Sequence, residues 1–195
     1  MKIVVIGSTG LIGSAVVKAL AGRHEVIGVS RHSSPSIDIE NHATIPGLFG
    51  AITGIDAVVS CAGSGAWKPV GELTDDDFAY SLRSKLMGQV NVIRHALGKL
   101  RDNGSVTVTT GVLAQHAAPG SAAVSMINSG LEGFVRGAAL DAPRGIRVNA
   151  VSPPWVTDTL VKLGRDPSIG MTPDNVAKAY VQAVEGSMRG QILGP

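Results

Sequence analysis

A single cysteine, Cys61, is all the thiol chemistry in this sequence of 195 residues. An internal disulfide is therefore excluded, and a reducing compartment, the cytoplasm, fits that usage. Charge of one sign is also missing. Seventeen basic and fifteen acidic residues leave +2, too little to mark a nucleic-acid or anionic-membrane partner. No apolar run approaches the roughly 18 residues of a membrane span. The opening MKIVVIG is broken at Gly7 and Gly10, short of a signal-peptide core, and reads as a strand. No cluster of His, Cys or carboxylates suggests a metal site. Aromatics are scarce at 4%, which singles out Trp67 and Trp155 as candidates for lining a substrate pocket, with plain packing as the alternative.

What is present is apolar and rhythmic. Short β-branched runs alternate with longer segments of helical period, the pattern of a parallel sheet covered on both faces. Strands are expected at Lys2–Ile6, Glu25–Ser30, Ala57–Ser60, Ser105–Thr109 and Ile146–Val151, with a very short one at Ile37–Ile39 and a stub at Gln191–Leu193. Helices are expected at Leu11–Ala21, within Asp75–Leu100, from Ala122 to Leu140, and at Pro173–Glu185. Thr74 is placed to cap the second of these, ahead of Asp75, Asp76 and Asp77. No repeat or linker interrupts the chain. The expected architecture is α/β, a single Rossmann-type doubly wound parallel sheet over residues 1–195.

The first strand runs straight into Gly7-Ser8-Thr9-Gly10-Leu11-Ile12-Gly13 and then a helix. Gly7 suits the tight turn, Gly10 lets backbone approach a pyrophosphate, and Gly13 lets helix and strand pack closely. Free N–H groups at the helix start would hold the phosphates. The second strand ends in Val29-Ser30-Arg31-His32-Ser33, with no carboxylate to accept bonds from an adenosine ribose. Arg31 can pair instead with a 2′-phosphate, favouring NADP over NAD, unless it merely solvates a loop.

Further landmarks carry a family resemblance: Asp38-Ile39 after the second strand, Ser60-Cys61-Ala62-Gly63, Gly145–Pro153, and the turn Pro153-Pro154-Trp155-Val156. Taken in this order, they resemble the short-chain dehydrogenase/reductase family over nearly the whole chain. The resemblance implies that Asp38 and Ile39 lie against the adenine, that Cys61, Ala62 and Gly63 border the cofactor, and that Pro153 and Val156 flank the nicotinamide carboxamide. It also implies a homo-oligomer, built on a surface to which Val90, Ile93, Ala139 and Leu140 could contribute.

The chain departs from the family at several places. Its glycine spacing differs from the commonest pattern, which would put the middle glycine at Leu11, and Pro154 replaces a glycine. The acid/base Tyr and the Lys four residues later align with Val124 and Asn128. The two tyrosines, Tyr80 and Tyr180, lie away from the start of that helix. Thr110 aligns with the catalytic Ser, although Gly111 competes for the position. Lys85 stands where the family has an Asn, and is expected either to restore the lost positive charge near the nicotinamide ribose or a bound water, or to extend to solvent. His116 is a weaker proton donor candidate.

The sequence thus implies an NADP-dependent oxidoreductase acting on a small organic substrate by an altered proton route. A non-catalytic NADP(H) sensor or scaffold and a non-redox enzyme remain the alternatives.

Overall fold

The computed structural model describes residues 1–195. Six strands, β1 (Lys2–Ile6), β2 (Glu25–Val29), β3 (Ile55–Ser60), β4 (Leu100–Thr109), β5 (Arg147–Val151) and β6 (Ile192–Leu193), form one sheet in the order β2-β1-β3-β4-β5-β6. All neighbouring pairs are parallel. The chain leaves β1 for one edge and returns past it to β3, so the strand order reverses between β1 and β3. Ligands of such sheets bind beyond the strand ends at that reversal.

Alternation along β1 divides the core. Val4 and Ile6 join a cluster of 25 buried residues beneath α2 (Thr44–Ala51), α4 (Gly88–Leu97) and α5 (Ala122–Asp141). Ile3 and Val5 belong to a cluster of 16 on the opposite face, beneath α1 (Leu11–Ala21) and α7 (Pro173–Glu185). Period-two side-chain direction with apolar residues at every position requires both faces to be covered.

The long helical segment after β3 has three parts: α3 (Asp75–Ser81), a π turn over Leu82–Met87, and α4. Thr74 caps it as expected, accepting from Asp77 N at 3.2 Å while Asp77 Oδ2 accepts from Thr74 N at 3.0 Å. This reciprocal box satisfies two N–H groups that the helix start leaves free.

Other expectations change. Ile37–Ile39 is not a strand; Ile37 and Ile39 are buried, but no neighbouring strand supplies a ladder. β4 starts at Leu100 rather than Ser105, because α4 ends at Leu97. Helices α2 and α6 (Thr157–Lys162) were not expected. Of the four residues assigned to a subunit surface, only Leu140 is exposed, at 83%; Val90, Ile93 and Ala139 are consumed by the chain's own core. No helix is long and apolar enough to cross a membrane.

Candidate active site

At the reversal between β1 and β3, an open cavity of about 300 Å³ runs along the strand ends. Of the predicted cofactor residues, Gly7, Thr9 and Gly10 line it from the first loop, Arg31 and His32 from the end of β2, and Asp38 and Ile39 from the segment beyond. Cys61, Ala62 and Gly63 line it from the end of β3, followed by Ser64, which the sequence reading did not single out.

The first loop is shaped by two close approaches. Gly7 has φ +79°, and a methyl group built on Gly13 would stand 2.1 Å from the Gly7 oxygen, so helix and loop could not pack with any other residue there. Gly10 caps α1 without a side-chain bond, and the first helical bond is Ser14 N to Gly10 O at 2.9 Å. The N–H groups of Leu11, Ile12 and Gly13 therefore lack protein acceptors, and no carboxylate stands in the first turn to compete for an anion. Ser8 belongs to this loop by its backbone; its hydroxyl turns to Val29 O at 3.3 Å. Arg31 is exposed and makes no ion pair, leaving its guanidinium available to a phosphate. Asp38 accepts from Glu40 N at 3.0 Å, which sets the local turn. These features fit a dinucleotide carrying an extra phosphate. Pro153 and Val156 do not border this cavity; Pro153 O accepts from Val112 N at 2.9 Å, and Val156 is buried at the start of α6.

Lys85 and Thr110 do meet, though not as the sequence reading assigned. Lys85, on the π turn, donates from Nζ to the Thr110 carbonyl at 3.1 Å. Burial lowers the Lys85 pKa from 10.5 to about 8. The Thr110 hydroxyl faces inward. Only 3% of the residue is exposed, and the hydroxyl's acceptors at 3.3 Å are Glu132 Oε1 and Val151 O. The hydroxyl's one proton is thus committed inside the protein, and only the Thr110 carbonyl oxygen meets Lys85.

Three supports went unrecognised in the sequence. Gln89 is fully buried and grips the backbone of Thr109, donating to its O at 2.7 Å and accepting from its N at 2.8 Å. Glu132, 4% exposed, accepts from Gln115 Nε2 at 2.7 Å as well as from Thr110. Tyr180 lies beneath the end of β4, its hydroxyl 2.7 Å from Thr109 Oγ1, and burial drives its pKa well above 10.0. The Cys61 thiol in the same region is pushed up to about 12 by burial, against the pull of the Thr109 and Tyr180 hydroxyls and the Lys85 ammonium. Neither group ionises near neutral pH.

The other tyrosine reaches the cleft. Helix α3 brings the Tyr80 hydroxyl into contact with Ser64 Oγ. The next residue, Gly65, packs on α5: a methyl group built there would lie 2.6 Å from Ile127 Cδ1 and 3.4 Å from Val124 Cγ2. A residue distant in sequence from the α5 start is thereby brought near it. Trp67 and Trp155 stand together at the loop ends, ring centroids 5.6 Å apart, with Arg165 at 5.3 Å from the Trp155 ring and 6.0 Å from Trp67. His116 is exposed.

A family model described as enoyl-(acyl carrier protein) reductase, within the short-chain dehydrogenases/reductases, matches residues 13–182. Among solved structures, the protein lin1944 from Listeria innocua is 35% identical, covers 100% of this chain and 98% of its own, and superposes with a TM-score of 0.95. A small-chain dehydrogenase solved in complex with NADPH is 24% identical, with coverages of 100% and 96% and a TM-score of 0.88, a likeness of fold. The hydroxynaphthalene reductase-like protein Arp2 of Metarhizium brunneum is 34% identical over 101 residues, 51% of this chain. That match spans only 38% of the relative's length.

Proposed function

Because the chain belongs to the short-chain dehydrogenase/reductase family, we propose that it is an NADP-dependent oxidoreductase transferring a hydride to or from a small organic substrate. The observation that carries this reading is the cleft itself: an unpaired Arg31 at one end, free helix N–H groups at its middle, and Cys61–Ser64 at the other end. In this reading Gly7–Gly13 hold the pyrophosphate, Arg31 and His32 the 2′-phosphate, and Asp38 and Ile39 the adenosine. Cys61, Ala62 and Gly63 border the inner ribose. The cofactor, when bound, supplies or accepts the hydride; the protein must orient it and manage charge on the substrate oxygen.

Lys85 is the group proposed for that charge. An ammonium held at the Thr110 carbonyl, with its pKa lowered to about 8, can stabilise a developing oxyanion near neutral pH by its charge. Thr110 positions it. The mouth formed by Trp67, Trp155 and Arg165 suits a flat organic substrate. The protein is further proposed to work in the cytoplasm as a homo-oligomer, with Leu140 and the groove between α4 and α5 at the contact.

Calorimetric titration with NADPH and NADH tests the cofactor, and a panel of ketones, enones and imines with bound NADPH tests the chemistry. Failure to bind either nucleotide rejects the reading. The inward Thr110 hydroxyl favours a second reading, a non-catalytic NADP(H) sensor, which binding without turnover on that panel would select.

A further inference from the structure

Most hydroxyls around the inner end of the cleft are already engaged within the protein. Thr110 faces Glu132 and Val151, while Thr109 and Tyr180 face each other, with Thr109 donating to Ser60 O at 2.7 Å. Ser121 and Ser125 lie 3.1 Å apart in the first turn of α5. Ser64 differs. It lines the cleft at the end opposite Arg31, and its hydroxyl touches only the Tyr80 hydroxyl, on a residue partly open to solvent.

The loop carrying Ser64 is fixed at each step. Ser64 N donates to Ser84 Oγ at 3.2 Å, and Ser84 in turn donates to Glu40 Oε1 at 2.9 Å. Ala66 N donates to Ser81 Oγ at 2.9 Å, and Ser81 donates to Asp77 O at 2.7 Å. On either side, Gly63 and Gly65 pack too closely for a side chain, against Lys85 Cα and Ile127 Cδ1. Such restraint holds a reactive hydroxyl in place without reorganisation during reaction. The charged groups on surrounding elements are Asp75 and Asp76 in the first turn of α3, Lys68 and Asp77, paired at 2.8 Å, Glu40 behind Ser84, and Arg83 and Lys85 on the π turn.

We propose that Ser64 and Tyr80 form the proton-delivery pair of this cleft, Ser64 meeting the substrate oxygen and Tyr80 linking it to water. This rests on the oxidoreductase reading above. In reduction of a carbonyl, with the hydride supplied to carbon by the cofactor, the substrate oxygen takes the Ser64 hydroxyl proton. Ser64 takes the proton of Tyr80, and Tyr80 is reprotonated from solvent. A carbonyl, a hydride and one proton become an alcohol, and oxidation runs the same path in reverse.

The pair can be followed without turnover. The chain has two tyrosines, and burial keeps Tyr180 protonated, so tyrosinate absorbance in an alkaline titration reports Tyr80. Ultraviolet difference spectra recorded with and without saturating NADP⁺ should show tyrosinate at lower pH in the complex, where the nicotinamide is cationic. Tyr80→Phe should abolish that signal, and Ser64→Ala should diminish the cofactor-dependent displacement. In turnover, Tyr80→Phe and Ser64→Ala should each slow the reaction about 100-fold. NADPH affinity of Tyr80→Phe, a residue outside the lining of the cleft, should stay within about twofold of wild type. An active wild type with an equally active Tyr80→Phe variant, or with tyrosinate formation indifferent to NADP⁺, overturns the pair alone. A wild type that binds NADPH and converts nothing on the panel overturns the oxidoreductase reading, and the pair with it.

Discussion

Lys85 Nζ and Asn128 Nδ2 end on consecutive carbonyls, those of Thr110 at 3.1 Å and Gly111 at 3.5 Å. One arrives from the π turn and the other from α5, so the end of β4 is tethered from two helices. The Asn128 contact is long for a hydrogen bond, and its Oδ1 has no partner although the residue is buried. Lys85 is therefore the stronger tether and the only charged one.

The lowered pKa of Lys85 has a calculable consequence for stability. Between about 8 and 10.5 the unfolded chain retains a proton that the native protein has shed, so native stability from this group rises with pH across that window. Below it, the buried ammonium carries its full desolvation cost. Thermal melts of wild type and Lys85→Met should therefore diverge in favour of the wild type as pH is raised through the window. Turnover by the wild type should show an inflection near 8 that the variant lacks.

Arg31 is expected to decide between the two nicotinamide nucleotides. Arg31→Ala should weaken NADPH by about 10- to 100-fold, the equivalent of a lost charged hydrogen bond of about 1.5–3 kcal/mol. NADH affinity should be unchanged. Equal weakening of both by calorimetry would show that Arg31 shapes the loop instead of reading the phosphate.

Gly13→Ala tests the cradle. Its new methyl group meets the Gly7 oxygen at 2.1 Å, backbone that cannot give way without displacing the loop. A loss of about 1–3 kcal/mol of stability in urea titrations is expected. Loss of NADPH binding should accompany it, since the same displacement moves the free N–H groups of α1.

Much of this was legible in the sequence where local chemistry dominates. The β-branched run Ile3–Ile6 specifies β1, Gly7 and Gly13 specify the turn, and Thr74 with Asp77 specifies a helix start. Helix α2 was hidden because Pro46, Gly47 and Gly50 mask the apolar spacing of Ile45, Leu48 and Phe49. The isoleucines at 37 and 39 imitate a strand through their spacing, yet a ladder needs a neighbour that only tertiary structure supplies. The same limit governs the site. Glu132 lies 22 residues from Thr110, and Tyr80 lies 16 from Ser64, so neither partnership leaves a local signal.

Gln89 offers the sharpest stability test. Gln89→Leu keeps approximate volume but strips both bonds from Thr109, at 2.7 and 2.8 Å, leaving a buried N–H and C=O unpaired. A cost of about 2–5 kcal/mol is expected in chemical denaturation, because each orphaned group carries its own desolvation penalty.

The π turn at Leu82–Met87 makes the phase of one helix half independent of the other. Ideal α geometry rotates each successive residue by about 100°. Removing one residue there would close the wide turn and swing Tyr80 and Ser81 out of step with Gln89 and Val90. A single-residue insertion is thus the device that lets one continuous rod present Tyr80 to the β3 loop and Gln89 to the end of β4.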